Sequence, residues 1–142
     1  MKIRLLMLGK TRGVEAGTML AEYIKRIGRV CPVEVSEVRD GDAALKKLDA
    51  DRAATALLLD AGGKTYDSVA FAKWIGEMRD RGTREVIFVC GDADGFPKEL
   101  RERVKQKISL SAMTYSHELA RVMLAEQVYR AFAILSGSPY PK

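Results

Sequence analysis

Two glycine-bearing stretches and one rich in small polar side chains carry the residue types best suited to holding a ligand. Asp60-Ala61-Gly62-Gly63-Lys64 and Gly91-Asp92-Ala93-Asp94-Gly95 each follow an apolar run of strand length. Ser109-Leu110-Ser111-Ala112-Met113-Thr114-Tyr115-Ser116 follows a weaker strand candidate. Glycine lets backbone approach a ligand where a side chain would block it. In open parallel sheets ligands bind beyond the carboxyl ends of the strands. Three such loops on neighbouring strands are expected to share one cofactor cleft, although ordinary strand-to-helix turns also use glycine and the loops alone do not name the cofactor.

Two better-known ligand motifs fail on spacing. Gly63-Lys64-Thr65 resembles the end of a phosphate-binding loop, but the glycine required five positions before Gly63 is replaced by Leu58, and the same test at Gly9-Lys10-Thr11 meets Arg4. Asp92, Asp94 and Gly95 resemble part of a calcium loop, but the third ligand position falls on Phe96. No metal site is expected.

His117 is the single histidine of the chain and stands at the start of the last predicted helix, with Ser116 as its cap. The positive end of the helix dipole disfavours an imidazolium there, so a neutral ring able to accept a proton is expected. A lone histidine can equally be structural. Residues 97 to 107 carry five basic and two acidic side chains, and Arg121 and Arg130 lie on the last helix. A solvated helix face accounts for the first cluster as well as an RNA footprint does, and Glu126, four residues before Arg130, can pair with it.

Alternating strand and helix patterns must position these groups. Apolar runs at 3–8, 33–38, 54–59, 86–90 and, more weakly, 107–110 read as strands. Helical periodicity covers 14–29 and 68–80. Asp42 is a candidate cap for a helix to about 50, Asp67 or Ser68 for the third, and Pro97 suits the first turn of a fourth. This is a βα repeat, hence an α/β fold with a mainly parallel sheet flanked by helices. The last helix, 117–136, shows two apolar stripes, Leu119, Val122, Met123, Tyr129, Ala133 and Ile134 against Leu124, Val128, Ala131, Phe132 and Leu135. One sheet covers one stripe, so a second copy of the same helix is the expected partner for the other.

The 142 residues, 47% of them hydrophobic, fit one compact domain spanning 1–142. A net charge of +5 favours a polyanionic partner without demanding one. Cys31 and Cys90 have no paired spacing for a disulfide framework or zinc site and read as buried thiols of a reducing compartment. The amino terminus is too interrupted for a signal peptide and no segment approaches membrane-spanning length, so a cytoplasmic protein is expected.

Taken in order, the motifs resemble a known family. Leu57-Leu58-Leu59-Asp60 with Gly62-Gly63-Lys64, Ser68 to Ala72, Gly91 to Gly95, Ser109 through His117, Leu119-Ala120-Arg121-Val122, Glu126 to Ala131 and Pro139-Tyr140 are similar to the bacterial ribosomal large-subunit pseudouridine N3-methyltransferases of the SPOUT class. The resemblance runs the length of the chain and is strongest from Gly91 onward. It implies a trefoil knot, which ordinary connection rules would exclude. It implies S-adenosylmethionine held by Leu59, Gly91 and the loop Leu110, Ser111, Ala112, Met113, Thr114 and Tyr115, and a homodimer packed through the last helix. It also implies large-subunit ribosomal RNA within a ribosome as substrate.

Under that resemblance His117 is the candidate base that takes the proton from N3. Arg121, Arg130, Tyr140 and Lys142 become candidate RNA contacts, with Tyr140 completing the partner's pocket. The chain departs from the family in ending Tyr140-Pro141-Lys142, where Tyr-His-Lys is usual, and in carrying Gly91-Asp92 for two adjacent glycines. Those departures motivate a second reading, a ribosome-associated RNA-binding protein of the same fold with reduced or lost turnover. The alternation and glycine loops alone leave a third, a different nucleotide-using α/β enzyme.

Overall fold

The structure is a computed structural model and describes residues 1–140. Five strands, β1 (Lys2–Leu8), β2 (Val33–Val38), β3 (Thr55–Thr65), β4 (Glu85–Cys90) and β5 (Gln106–Ser109), alternate with α1 (Val14–Gly28), α2 (Gly41–Ala50), α3 (Ser68–Asp80), α4 (Lys98–Arg103) and α5 (His117–Ser136). All ladders are parallel, in the order β2-β1-β4-β3-β5. The α/β class and the strand positions follow the apolar runs closely.

Alternation along the central strands sorts the core into two layers. Ile3, Leu5, Met7, Val86 and Phe88 face α1, α3 and α5, whereas Leu6, Leu8, Ile87 and Val89 face α2 and α4. The helix starts obey capping chemistry. Asp67 accepts from the Ala70 amide at 2.7 Å and Ser116 from the Leu119 amide at 3.2 Å. At the second helix the cap is Asp40, accepting from the Ala43 amide at 3.0 Å; Asp42 lies inside the first turn.

One further expectation is corrected. β3 does not stop at residue 59 but continues through Gly62 and Gly63 to Thr65, with a register shift such that Ile108 of β5 pairs with both Leu59 and Lys64. The glycines that read as a turn are strand, and Gly63 is needed because a Cβ there would lie 2.7 Å from the Ile108 backbone nitrogen. The last helix, α5, packs against two others. It lies between α1 and α3 of the same chain, with Leu124, Val128, Ala131 and Phe132 buried. Of the opposite stripe Val122 and Ala133 are buried too, Met123, Tyr129 and Ile134 are half-buried, and Leu119 is exposed. The two flanking helices cover part of both stripes and leave Leu119 open.

Candidate active site at the carboxyl ends of the strands

The ends of β3, β4 and β5 enclose a cleft of about 530 Å³. Leu59, Asp60 and Ala61 form one wall, Cys90 to Ala93 with Gly95 and Phe96 a second, and Leu110, Ser111, Met113, Thr114 and Tyr115 a third; Ser116, His117 and Ala120 of the last helix close it. Each wall is held by its own short-range bonds. Asp60 accepts from the Gly62 amide at 3.3 Å and lies 3.6 Å from the Arg101 guanidinium, which in turn sits over the Phe96 ring at 5.6 Å. Asp92 accepts from the Asp94 amide at 2.8 Å, and the Gly95 amide donates to the Asp92 carbonyl at 3.0 Å. The turn closes tightly enough that a Cβ on Gly91 would stand 3.0 Å from the Gly95 carbonyl oxygen.

The third wall is braced by a serine that the sequence argument did not single out. Ser109 is buried; its hydroxyl donates to the Ser111 carbonyl at 2.7 Å and accepts from the Ser111 amide at 3.1 Å. Ser111 Oγ accepts from the Met113 amide at 3.0 Å. Satisfied side-chain-to-backbone bonds of this kind fix a loop before a ligand arrives. Burial pushes the Cys90 thiol up to about 12, with the nearby Arg121 cation opposing weakly, so the cleft floor carries a neutral, inert thiol.

A family model described as "Predicted SPOUT methyltransferase" matches residues 1–141. The chain belongs to the SPOUT methyltransferase family. It is 39% identical over 153 residues to the ribosomal RNA large subunit methyltransferase H of Trichlorobacter lovleyi, with 99% of each chain covered. It is 40% identical over 151 residues to the protein of the same name from Pelobacter propionicus, again with 99% of each covered. Among solved structures, the tRNA (m1G37) methyltransferase of Aquifex aeolicus superposes with a TM-score of 0.62 at 15% identity over 100% of this chain and 75% of that one. A SpoU methyltransferase from Streptomyces viridochromogenes in complex with AdoMet gives 0.55 at 11% identity, covering 97% and 58%. The structural likenesses concern the fold.

In this SPOUT chain most of the expected cofactor residues meet at the cleft. Leu59, Gly91, Leu110, Ser111, Met113, Thr114 and Tyr115 line it, whereas Ala112 lies in the same loop but is exposed and not on the lining. His117 lines it too, half-buried. Phe96 and Ala120 also line it; in the sequence Phe96 stood out only as the residue that breaks the calcium-loop pattern.

The expected RNA contacts do not gather there. Arg121 is fully buried, its guanidinium donating to the Leu8 carbonyl at 2.6 Å and the Thr11 hydroxyl at 2.9 Å; it is an internal brace, out of reach of a phosphate. Arg130 pairs with Glu126 at 2.6 Å and lies 5.5 Å from the centre of the Tyr140 ring. Tyr140 folds back on its own chain, its hydroxyl donating to Glu126 at 3.1 Å and its ring packing edge-on against Tyr129 with centroids 4.6 Å apart. Lys142, and Pro141 with it, lie outside the described residues. Among the described residues no group of three or more His, Cys, Asp or Glu side chains could hold a metal ion, and no helix is long and apolar enough to cross a membrane.

Proposed function

We propose that this protein transfers a methyl group from S-adenosylmethionine to N3 of a pseudouridine in large-subunit ribosomal RNA, acting in the cytoplasm on the assembled ribosome. The observation that carries the reading is the cleft itself, assembled from three pre-braced strand-end loops in a chain whose relatives bear the name ribosomal RNA large subunit methyltransferase H. The cleft fits the cofactor. Its size suits a nucleoside carrying an amino-acid arm, Leu59, Phe96 and Leu110 offer apolar walls for a purine, and the Gly91 turn admits close backbone approach. Asp60 and Asp92 place carboxylates beside a group that is itself cationic.

When bound, S-adenosylmethionine supplies an electrophilic methyl on a sulfonium. The chain's own part is alignment and proton removal. The braced loops 91–95 and 109–115 hold donor and acceptor in line. His117 stands where the target base would enter and accepts the N3 proton as the nitrogen–carbon bond forms and the sulfur–carbon bond breaks, leaving a neutral thioether. Two copies pair through α5, which leaves Leu119 exposed and Met123 and Ile134 half-covered in a single chain. The close approach of Gly63 to β5 and the double pairing of Ile108 fit a chain that threads a knot at this point.

Incubation with radiolabelled S-adenosylmethionine and ribosomes from a strain lacking the modification tests the reading. Label in the large ribosomal RNA is expected; no label despite normal cofactor binding would leave the RNA-binding alternative instead.

A further inference from the structure

Two exposed cations sit on the loop between β1 and α1. Lys10 and Arg12 are exposed, and among the described residues neither side chain takes part in a hydrogen bond or ion pair. The loop between β1 and α1 that carries them is nonetheless firmly held. The Gly9 amide donates to the Val38 carbonyl at 2.7 Å, and the Thr11 amide to Glu37 at 2.7 Å. The buried Arg121 holds the Thr11 hydroxyl at 2.9 Å, and the carboxylate of Glu118 accepts from the Arg12 amide at 2.6 Å and the Gly13 amide at 3.0 Å.

The tie to the active site is direct, since Glu118 follows His117, which lines the cleft. Two carboxylates that reach the loop, Glu37 and Glu118, are taken up by its backbone amides, so they hold the loop rather than pair with its cations. Glu15, in the first turn of α1, is exposed. A loop whose backbone is fixed and whose cations are free has already met much of the ordering cost of binding.

We infer that Lys10 and Arg12 form a phosphate-binding edge of the active site, gripping the RNA backbone next to the nucleotide that enters the cleft. Glu118 and Arg121 act as positioning residues for that edge. The inference rests on the proposed RNA substrate and replaces Arg121, which burial removes from the surface, with cations that the same residue holds in place. Lysine meets a phosphate as a point charge and arginine as a planar fork.

The test uses the full-length protein with Lys10→Gln, Arg12→Gln and the double substitution, and Lys25→Gln near the far end of α1 as a control for net charge. Binding to purified large ribosomal subunits is measured by sedimentation over a salt series, without methyl transfer, alongside steady-state kinetics and calorimetry with S-adenosylmethionine. Each single variant should weaken subunit binding roughly threefold to tenfold and make the log–log salt dependence shallower by about 1, the double by about 2. The rise should appear in KM for the subunit, with kcat and cofactor affinity near wild type and Lys25→Gln unaffected.

Unchanged salt dependence in the double variant, or an equal loss in Lys25→Gln, would overturn the inference. A protein that binds subunits through this loop yet transfers no methyl would instead sink the proposed function and leave the inference standing.

Discussion

Replacing Gly63 by alanine should be among the most damaging single-methyl additions in the molecule. A Cβ at that position would stand 2.7 Å from the Ile108 nitrogen, 2.7 Å from the Lys107 carbonyl carbon and 2.8 Å from the Ile108 carbonyl carbon. These are backbone atoms of β5, which no side-chain rotation can clear. Restoring ordinary contact requires β5 to move by about 0.7 Å against its pairing with β3. Overpacking costs roughly 1–3 kcal/mol, and displacement of a paired strand places this case near about 3 kcal/mol. At about 3–4 °C per kcal/mol for a chain of this size, the melting temperature should fall by about 10 °C. Because β3 carries Leu59 and β5 leads into Leu110, affinity for S-adenosylmethionine should fall with it. Gly62→Ala is the control, since its Cβ would meet only the movable Asp60 carboxylate at 3.2 Å. Calorimetric melting and cofactor titration of both variants would decide; a Gly63→Ala protein melting within about 2 °C of wild type, with cofactor affinity intact, would refute the packing argument.

Removing the His117 imidazole by His117→Ala should lower kcat far more than cofactor affinity; equal loss of both would mark the residue as structural. Ser109→Ala strips the brace from the third cleft wall and should cost about 1 kcal/mol of stability while raising the Kd for S-adenosylmethionine, whereas unchanged cofactor binding would show the loop holds itself. The amides of Arg12 and Gly13 keep the Glu118 carboxyl below the usual carboxylate range. A lowered folded-state value stabilises above the unfolded pKa of about 4.3 and loses that stabilisation as pH falls through the folded value. Glu118→Gln should therefore flatten the acid limb of stability below about pH 4.3, and superimposable acid limbs would contradict this. Burial pushes the Cys90 thiol up to about 12, so a disulfide reagent at mild alkaline pH should modify it only after unfolding, whereas Cys31, expected to be buried, is half-exposed and should react first; rapid labelling of Cys90 in the native protein would count against a buried, neutral thiol.

What the sequence made legible was mostly local. Strand runs, helical periods and the caps at Asp67 and Ser116 depend on neighbours a few residues away, and they placed the cleft walls at the ends of β3, β4 and β5. The misreadings share a cause, dependence on distant residues. Gly62-Gly63 has turn composition, and only the approach of β5, more than forty residues on, makes it strand. Arg121 looks like a surface cation because helical spacing says nothing of the Leu8 carbonyl and Thr11 hydroxyl waiting to receive it. That α1 and α3 flank α5 was likewise not legible, because periodicity counts apolar faces without naming what packs on them. The Glu118 clamp on the β1–α1 loop spans more than a hundred residues of sequence and carried no local signal.

The most direct test of the central claim is to map the methylated nucleotide by mass spectrometry after the purified protein acts on ribosomes and, separately, on bulk tRNA. The fold alone does not choose between them, since solved SPOUT-like neighbours include a tRNA (m1G37) methyltransferase. The account predicts a methyl on the N3 of a pseudouridine in the large-subunit ribosomal RNA, dependent on the presence of the particle. Methylation confined to tRNA, or found on a ribose hydroxyl, would contradict it.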